Sequence, residues 1–282
     1  MNLDLDDARR VAELALAEDL AYGPDATTRA TVPETATARA EITPRVAGTL
    51  AGVPVALAVF DAVLGESYEV LSAREDGERL TAGEPALVLR GPVRGLLTAE
   101  RTALNLLCHL SGIATATAAW VSEVDGTGCA IRDTRKTLPG LRLLQKYAVR
   151  CGGGVNHRMG LGDAVLIKDN HVVAAGSITA ALKAVREQAA GLHCEVEVDS
   201  LGQLAEALSA GADEVLLDNF PVADCASAVR LRDEASPATR LEASGGLRWE
   251  TARAYAGTGV DYLAVGALTH SSPALDLGLD LH

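Results

Sequence analysis

Between residues 132 and 168 the chain gathers eight cations: Arg132, Arg135, Lys136, Arg142, Lys146, Arg150, Arg158 and Lys168. Only two anions, Asp133 and Asp163, offset them, and His157 adds an imidazole. The window carries +6 in a chain whose formal net charge is −13, which leaves −19 for everything outside it. An acidic protein that concentrates cations in one place is suited to holding a small anion there. Nucleic acid is a poor partner, because the rest of the surface repels a long polyanion.

The eight cations do not read alike. Arg135-Lys136 follows a short β-like run and precedes Pro139, a good first-turn residue, which puts the pair on a strand-to-helix loop. Lys168 ends a second apolar run and is followed by Asp169-Asn170-His171. His157-Arg158 comes just after Gly152-Gly153-Gly154, a segment able to take positive φ or to approach a ligand closely. Arg142, Lys146 and Arg150 instead recur at i, i+4 and i+8, opposite Leu141, Leu144 and Ala148. That stripe reads as a solvated helix face or a subunit contact.

The elements that must position these residues come next. A chain of 282 residues predicts one large domain or two ordinary ones. Apolar residues make up 48% but aromatics only 3%, so the core must be aliphatic. Five cysteines, Cys108, Cys129, Cys151, Cys194 and Cys225, are odd in number and lack metal spacing, and read as reduced and mostly buried in a cytoplasmic protein. No signal-peptide pattern opens the chain, and no apolar run reads as long enough to span a bilayer; the longest, residues 52–64, carries Asp61 and a proline.

Residues 3–20 alternate acids with Leu3, Val11, Leu14, Ala15 and Leu20, which predicts an amphipathic helix stopped at Tyr22-Gly23-Pro24-Asp25. From residue 26 to about 90 the pattern is short and β-like, with runs at 38–42, 68–71 and 86–89 and one helix at 54–63. A long helical stretch over 94–124 follows, divided by Gly112. From residue 129 strand and helix alternate. The runs at 129–131, 164–167, 194–198, 214–217, 240–243 and 262–265 have helical segments at 178–190, 201–210, 223–235 and 249–256 between the later ones. That alternation implies parallel strands with helical crossovers, and about six units favour a closed or nearly closed β/α barrel.

Charged or glycine residues follow each run: Arg135-Lys136, Lys168, Glu197 with Asp199, Asp218-Asn219, Ser244-Gly245-Gly246 and Gly266-Ala267. This is the barrel face where loops converge on one pocket. Glycine-rich loops that open helices suit a phosphate, or are tight turns alone. Glu197 and Asp218 suit a divalent cation, or cap and pair with nearby cations. Several cations with an imidazole suit a ligand with more than one carboxylate. No nucleophile motif, dinucleotide fingerprint or Walker loop is present.

Taken in order, these motifs resemble the bacterial quinolinate phosphoribosyltransferase family. The resemblance rests on Thr98-Ala99-Glu100-Arg101 with Asn105, and on Thr134-Arg135-Lys136-Thr137-Leu138-Pro139-Gly140. It continues through Gly152-Gly153-Gly154 with His157-Arg158, Ile167-Lys168-Asp169-Asn170-His171 and Glu195-Val196-Glu197. Leu217-Asp218-Asn219 and Glu242-Ala243-Ser244-Gly245-Gly246 complete it. It implies an N-terminal open-faced β-sandwich-like α+β domain over residues 1–111, with the tail 269–282 packing back on it, and a C-terminal incomplete β/α barrel over 112–268. It further implies transfer of phosphoribosyl from phosphoribosyl pyrophosphate to quinolinate with Mg²⁺, giving nicotinate mononucleotide, pyrophosphate and CO₂.

By the same resemblance Arg135, His157, Arg158 and Lys168 surround the quinolinate carboxylates, with Thr134 beside them. Lys136 lies near pyrophosphate and dicarboxylate and is catalytic with Glu197 and Asp218. These two acids contact the ribose and hold the metal directly or through water. Ser244, Gly245 and Gly246, with Val265, Gly266 and Ala267, hold the 5′-phosphate. Arg101 reaches into a neighbouring subunit's pocket, so a homodimer is the minimum assembly; neither nucleic acid nor membrane is a partner. Rival expectations are a relative with another acceptor, a Schiff-base aldolase using Lys168, and a non-catalytic binder.

Overall fold

The computed structural model describes residues 3–282, which divide into two compact units. The first comprises residues 3–118, 136–153 and 267–282; the second comprises 119–135 and 154–266. Each unit is therefore built from separate stretches of chain.

The first unit opens with the helix Leu5–Asp19, whose N-cap Asp4 accepts from the amides of Asp6 and Asp7. A short helix, Ala26–Thr31, follows where the sequence read as β-like; the carboxylate of Asp25 accepts from the Thr28 amide and starts it. Strands β1 (Thr37–Pro44), β2 (Gly48–Thr49), β3 (Glu69–Ala73), β4 (Arg79–Leu80) and β5 (Leu87–Pro92) come next. The C-terminal strand Leu277–Leu281, β1, β5 and β3 form one antiparallel sheet in that order. Strands β2 and β4 form a separate pair. The helix Val53–Leu64 buries Val55, Ala56, Val59 and Phe60.

The helix Val93–Glu123 runs unbroken through Gly112. A side chain at Gly112 would collide with the carbonyl of Pro273, so this glycine permits close approach of a neighbouring segment and does not divide the helix. Over its most apolar stretch this 31-residue helix is long and apolar enough to cross a membrane, contrary to the sequence expectation. Half of that stretch is buried, and along the helix as a whole Leu96, Ala103, Leu104, Leu107, Leu110 and Ile113 are core residues. All five cysteines are free, and all but Cys108 are buried.

The second unit holds β6 (Ala130–Arg132), β7 (Val165–Ile167), β8 (Cys194–Val198), β9 (Glu214–Asp218), β10 (Arg240–Ser244) and β11 (Tyr262–Ala264). They form one parallel sheet in the order β6-β11-β10-β9-β8-β7. Strands β6 and β7 are the two edges, so the barrel is incomplete. Val155 covers part of the β6 edge, exchanging backbone hydrogen bonds with Ile131 and Asp133. The helices Ile178–Gln188, Leu201–Ser209, Val222–Ala235 and Trp249–Ala256 link successive strands, as the periodicity predicts. One further helix, Asp169–Ala175, starts directly after Lys168. A parallel sheet flanked by helices buries both faces, which explains the Val- and Leu-rich strands.

The stripe read as a solvated face is not one. On the helix Arg142–Cys151, Lys146 is wholly buried and Arg142 and Arg150 are only half-exposed. Helical spacing identifies a shared face; it does not say whether another element covers that face.

Candidate functional site

Parallel register fixes which strand positions share a face, because side chains alternate along each strand. Glu195 pairs with Glu214, Glu214 with Arg240, and Glu242 with both Leu216 and Tyr262. Asp218 pairs with Ser244, and Ala264 with Arg132. The face bearing Glu197 and Asp218 therefore also carries a buried charged layer beneath them. In that layer the Arg132 Nη1 donates to Glu214 Oε1 at 2.5 Å and to Glu242 Oε2 at 2.8 Å. The Arg132 guanidinium also sits 3.5 Å over the Tyr262 ring.

At the β6 end, Asp133 is wholly buried and anchors the next part of the site. It accepts from the His157 amide at 2.9 Å and from Asn156 Nδ2 at 2.5 Å. His157 Nδ1 accepts from the Arg158 amide at 2.7 Å, which leaves the imidazole proton on Nε2. That nitrogen lies 2.7 Å from Glu195 Oε2 and 3.9 Å from Glu242 Oε1. Glu195 and Glu242 are 1% and 0% exposed. Burial pushes both carboxyls up to about 8, with nearby carboxylates adding to the effect and Arg132 opposing it.

Arg135 and Arg158 are half-buried neighbours. Burial, then the Arg135 charge, holds the Arg158 guanidinium below its ordinary range. Arg158 Nη1 donates to the Ala164 carbonyl at 3.2 Å. Thr134, just before Arg135, is half-buried. Lys168 Nζ donates to Glu197 Oε2 at 2.6 Å, so the pairing reading of Glu197 describes this conformation. The Lys168 amide donates to His171 Nδ1 at 2.9 Å, tying the strand end to the first turn of the following helix.

Asp218 Oδ2 accepts from the Asn219 side chain at 2.8 Å. Asn219 has φ 57°, the one positive value among the described non-glycine residues, and its amide donates to the Ser244 carbonyl at 2.8 Å. Gly245 lies against Asn219 so closely that any β-carbon would strike that side chain, and Gly245 and Gly246 have φ 92° and 59°. This turn precedes the helix Trp249–Ala256. The buried Val265 donates its amide to the Arg132 carbonyl at 2.9 Å, and Gly266 follows it.

The remaining predicted residues belong to the first unit. Arg101 is exposed on the helix Val93–Glu123. Lys136 is exposed, and its carbonyl accepts from Thr269 Oγ1 at 3.0 Å. Ala267 opens the short helix Ala267–His270. Of the three consecutive glycines, Gly152 is pressed against the Ala114 carbonyl, so its close approach is to a helix rather than to a ligand.

Sequence reasoning assigned no role to Asp133, Arg132, Glu195, Glu214 or Glu242. One signal was available in the run Cys194-Glu195-Val196-Glu197-Val198. A buried parallel strand reads as continuously apolar, so acids at alternate positions mark a face with another task.

Residues 25–111 match the model for the N-terminal domain of quinolinate phosphoribosyl transferase, and residues 113–280 match the model for its C-terminal domain. Nicotinate-nucleotide pyrophosphorylase (carboxylating) of Mycobacterium leprae is 60% identical over 99% of this chain and 98% of that protein. The human protein of that name is 40% identical over 83% of this chain and 79% of its own. The solved structure of nicotinate-nucleotide pyrophosphorylase from Francisella tularensis superposes with a TM-score of 0.94 at 39% identity, covering 100% of this chain and 98% of that one. Two domain models in succession and identity sustained over nearly the whole length lead to one conclusion: the chain belongs to the quinolinate phosphoribosyl transferase family.

Proposed function

We propose that this protein transfers the phosphoribosyl group of phosphoribosyl pyrophosphate to quinolinate and releases CO₂, forming nicotinate mononucleotide and pyrophosphate. The observation that carries this reading is Arg158 beside His157, with the Arg135 charge acting on its guanidinium. Two guanidiniums close enough to feel each other's charge repel, and a dianionic ligand relieves that repulsion. Quinolinate is such a ligand, with two carboxylates on adjacent ring carbons.

The protein supplies no nucleophile, because the pyridine nitrogen attacks the anomeric carbon. The bond from that carbon to the pyrophosphate oxygen breaks, and its electron pair leaves with pyrophosphate. Lys136 neutralises charge on the leaving group. Glu197 and Asp218 face the ribose as it gains oxocarbenium character. The positive charge on the ring nitrogen stabilises the electron pair left on the adjacent ring carbon as its carboxylate departs as CO₂, and a proton from water then bonds to that carbon. The main work of the site is to hold two anions together that otherwise repel.

The carboxylate oxygens of Glu197 and Asp218 lie at the C-terminal ends of adjacent strands, and an all-oxygen donor pair suits Mg²⁺. Mg²⁺ bound there would offset charge on the departing pyrophosphate. Occupation by the metal requires Glu197 to share or give up its contact with Lys168. Ser244, Gly245, Gly246, Val265, Gly266 and Ala267 receive the 5′-phosphate. The protein works in the cytoplasm as a homodimer, with Arg101 completing the partner's site.

The test is release of labelled CO₂ from carboxyl-labelled quinolinate. Release that needs both phosphoribosyl pyrophosphate and Mg²⁺ is the expected result. No release from a folded sample would overturn the choice of acceptor.

A further inference from the structure

We propose that Gln145 is a positioning residue for Lys136, fixing the backbone that carries this lysine without touching substrate. The inference rests on the reading of Lys136 given above. Gln145 lies mid-helix in Arg142–Cys151 with its side chain wholly buried. A buried amide has to satisfy a carbonyl and two N–H bonds, and the surroundings meet all three. Its Oε1 accepts from the Leu138 amide at 2.9 Å. Its Nε2 donates to the Thr269 carbonyl at 2.8 Å. These two backbone partners fix which end of the amide is which.

The second hydrogen on Nε2 then points to His109 Nε2, 2.9 Å away, which has to present a lone pair. Burial holds the His109 imidazole below its ordinary range, in keeping with that neutral acceptor. Thr269 closes the arrangement, because its Oγ1 donates to the Lys136 carbonyl at 3.0 Å. The segment is therefore gripped at the carbonyl of Lys136 and at the amide of Leu138, and both grips lead to one glutamine. Arg142 Nε adds a third contact, to Thr137 Oγ1 at 3.0 Å. The Lys136 side chain stays exposed while its backbone is held. A clamp of an amide, two hydroxyls and a guanidinium suits this position, because it sets direction with no carboxylate to draw the lysine's charge away from an anion.

The test is a double-mutant cycle of Lys136→Ala and Gln145→Met, with kcat and both KM values measured on full-length protein. Gln145→Met keeps the length of the side chain and removes its hydrogen bonds. The expected result is a fall in kcat of about tenfold or more from misplacement of one group, with the quinolinate KM little changed. In the Lys136→Ala background the same change should cost almost nothing, because the residue it positions is gone. Equal losses in both backgrounds, or no loss in the first, would overturn the proposal. If Lys136→Ala itself leaves turnover intact, the role of Lys136 fails instead, and the two failures are told apart. Should Gln145→Met not fold, Thr269→Val removes only the hydroxyl that holds the Lys136 carbonyl. It should give the same selective kcat loss, and Thr269→Ser should restore activity; equal activity of the two Thr269 variants would also overturn the proposal.

Discussion

Two segments of this molecule hold in place the cations proposed to bind substrate, and they do so by different electrical means. After Lys136 the clamp has no carboxylate: Gln145 and Thr269 grip backbone atoms, Arg142 reaches Thr137, and the His109 imidazole accepts from Gln145. At His157 and Arg158 the clamp is built of carboxylates: Asp133 holds the His157 amide, and Glu195 faces its ring. Carboxylates beneath the proposed anion site ought to weaken it. The buried layer limits that conflict because Arg132 pairs with Glu214 and Glu242, and burial pushes Glu195 and Glu242 up to about 8, which disfavours their charged forms. An exposed lysine needs a positioned backbone, whereas a buried imidazole needs a polar partner for its N–H.

The largest expected effect tests the side without carboxylates. Lys136→Ala should lower kcat by about a hundredfold or more, the size seen when one preorganised stabilising group is removed. A loss below about fivefold would leave nothing for the clamp to position. Next comes the carboxylate side. Asp133→Ala strips the His157 amide and Asn156 of their shared partner and should cost about 1–3 kcal/mol of stability, read from denaturant unfolding. It should raise the KM for quinolinate more than that for phosphoribosyl pyrophosphate. Equal rises would mean that the His157 loop is not specific to the dicarboxylate. Lys168→Ala should show the same bias in direct binding measurements, about tenfold toward quinolinate, comparable to the loss of one charge-assisted contact.

The smallest effect is on pH dependence. Glu242 keeps its proton in the folded state up to about 8, whereas an unfolded glutamate loses it near 4.5. Between these values the folded state binds more protons, so stability is fully present at the acid end and falls as pH rises toward 8. Glu242→Gln should flatten that slope, read as unfolding midpoints across the range. An unchanged slope would show that the buried layer disposes of its charge another way.

Much of the fold was legible because local physics sets it. Helix ends followed side-chain caps, as at Asp4 and Asp25, although the short helix at Asp25 escaped the β-like reading of that region. The strand-helix alternation from β6 onward was plain because parallel strands buried on both faces appear as apolar runs at regular spacing. The cation-bearing strand ends were visible for the same reason, since each follows a run. Misreadings came where a residue's neighbours are distant in sequence. Lys146 was read with Arg142 and Arg150 as a solvated face or a subunit contact, yet it is wholly buried. Gly112 looked like a break because nothing nearby reveals the Pro273 carbonyl pressed against it.

What the sequence determined by itself is therefore the order and type of the elements, the concentration of positive charge, and the residues that end each strand. Those follow from hydrophobic periodicity and side-chain chemistry within a few residues. Only the tertiary structure decided that Glu195, Glu214 and Glu242 form one layer around Arg132, and that Gln145 holds the segment bearing Lys136. Burial is a property of all the elements packed around a side chain. A buried polar group is defined by partners that the chain brings together from far along its length.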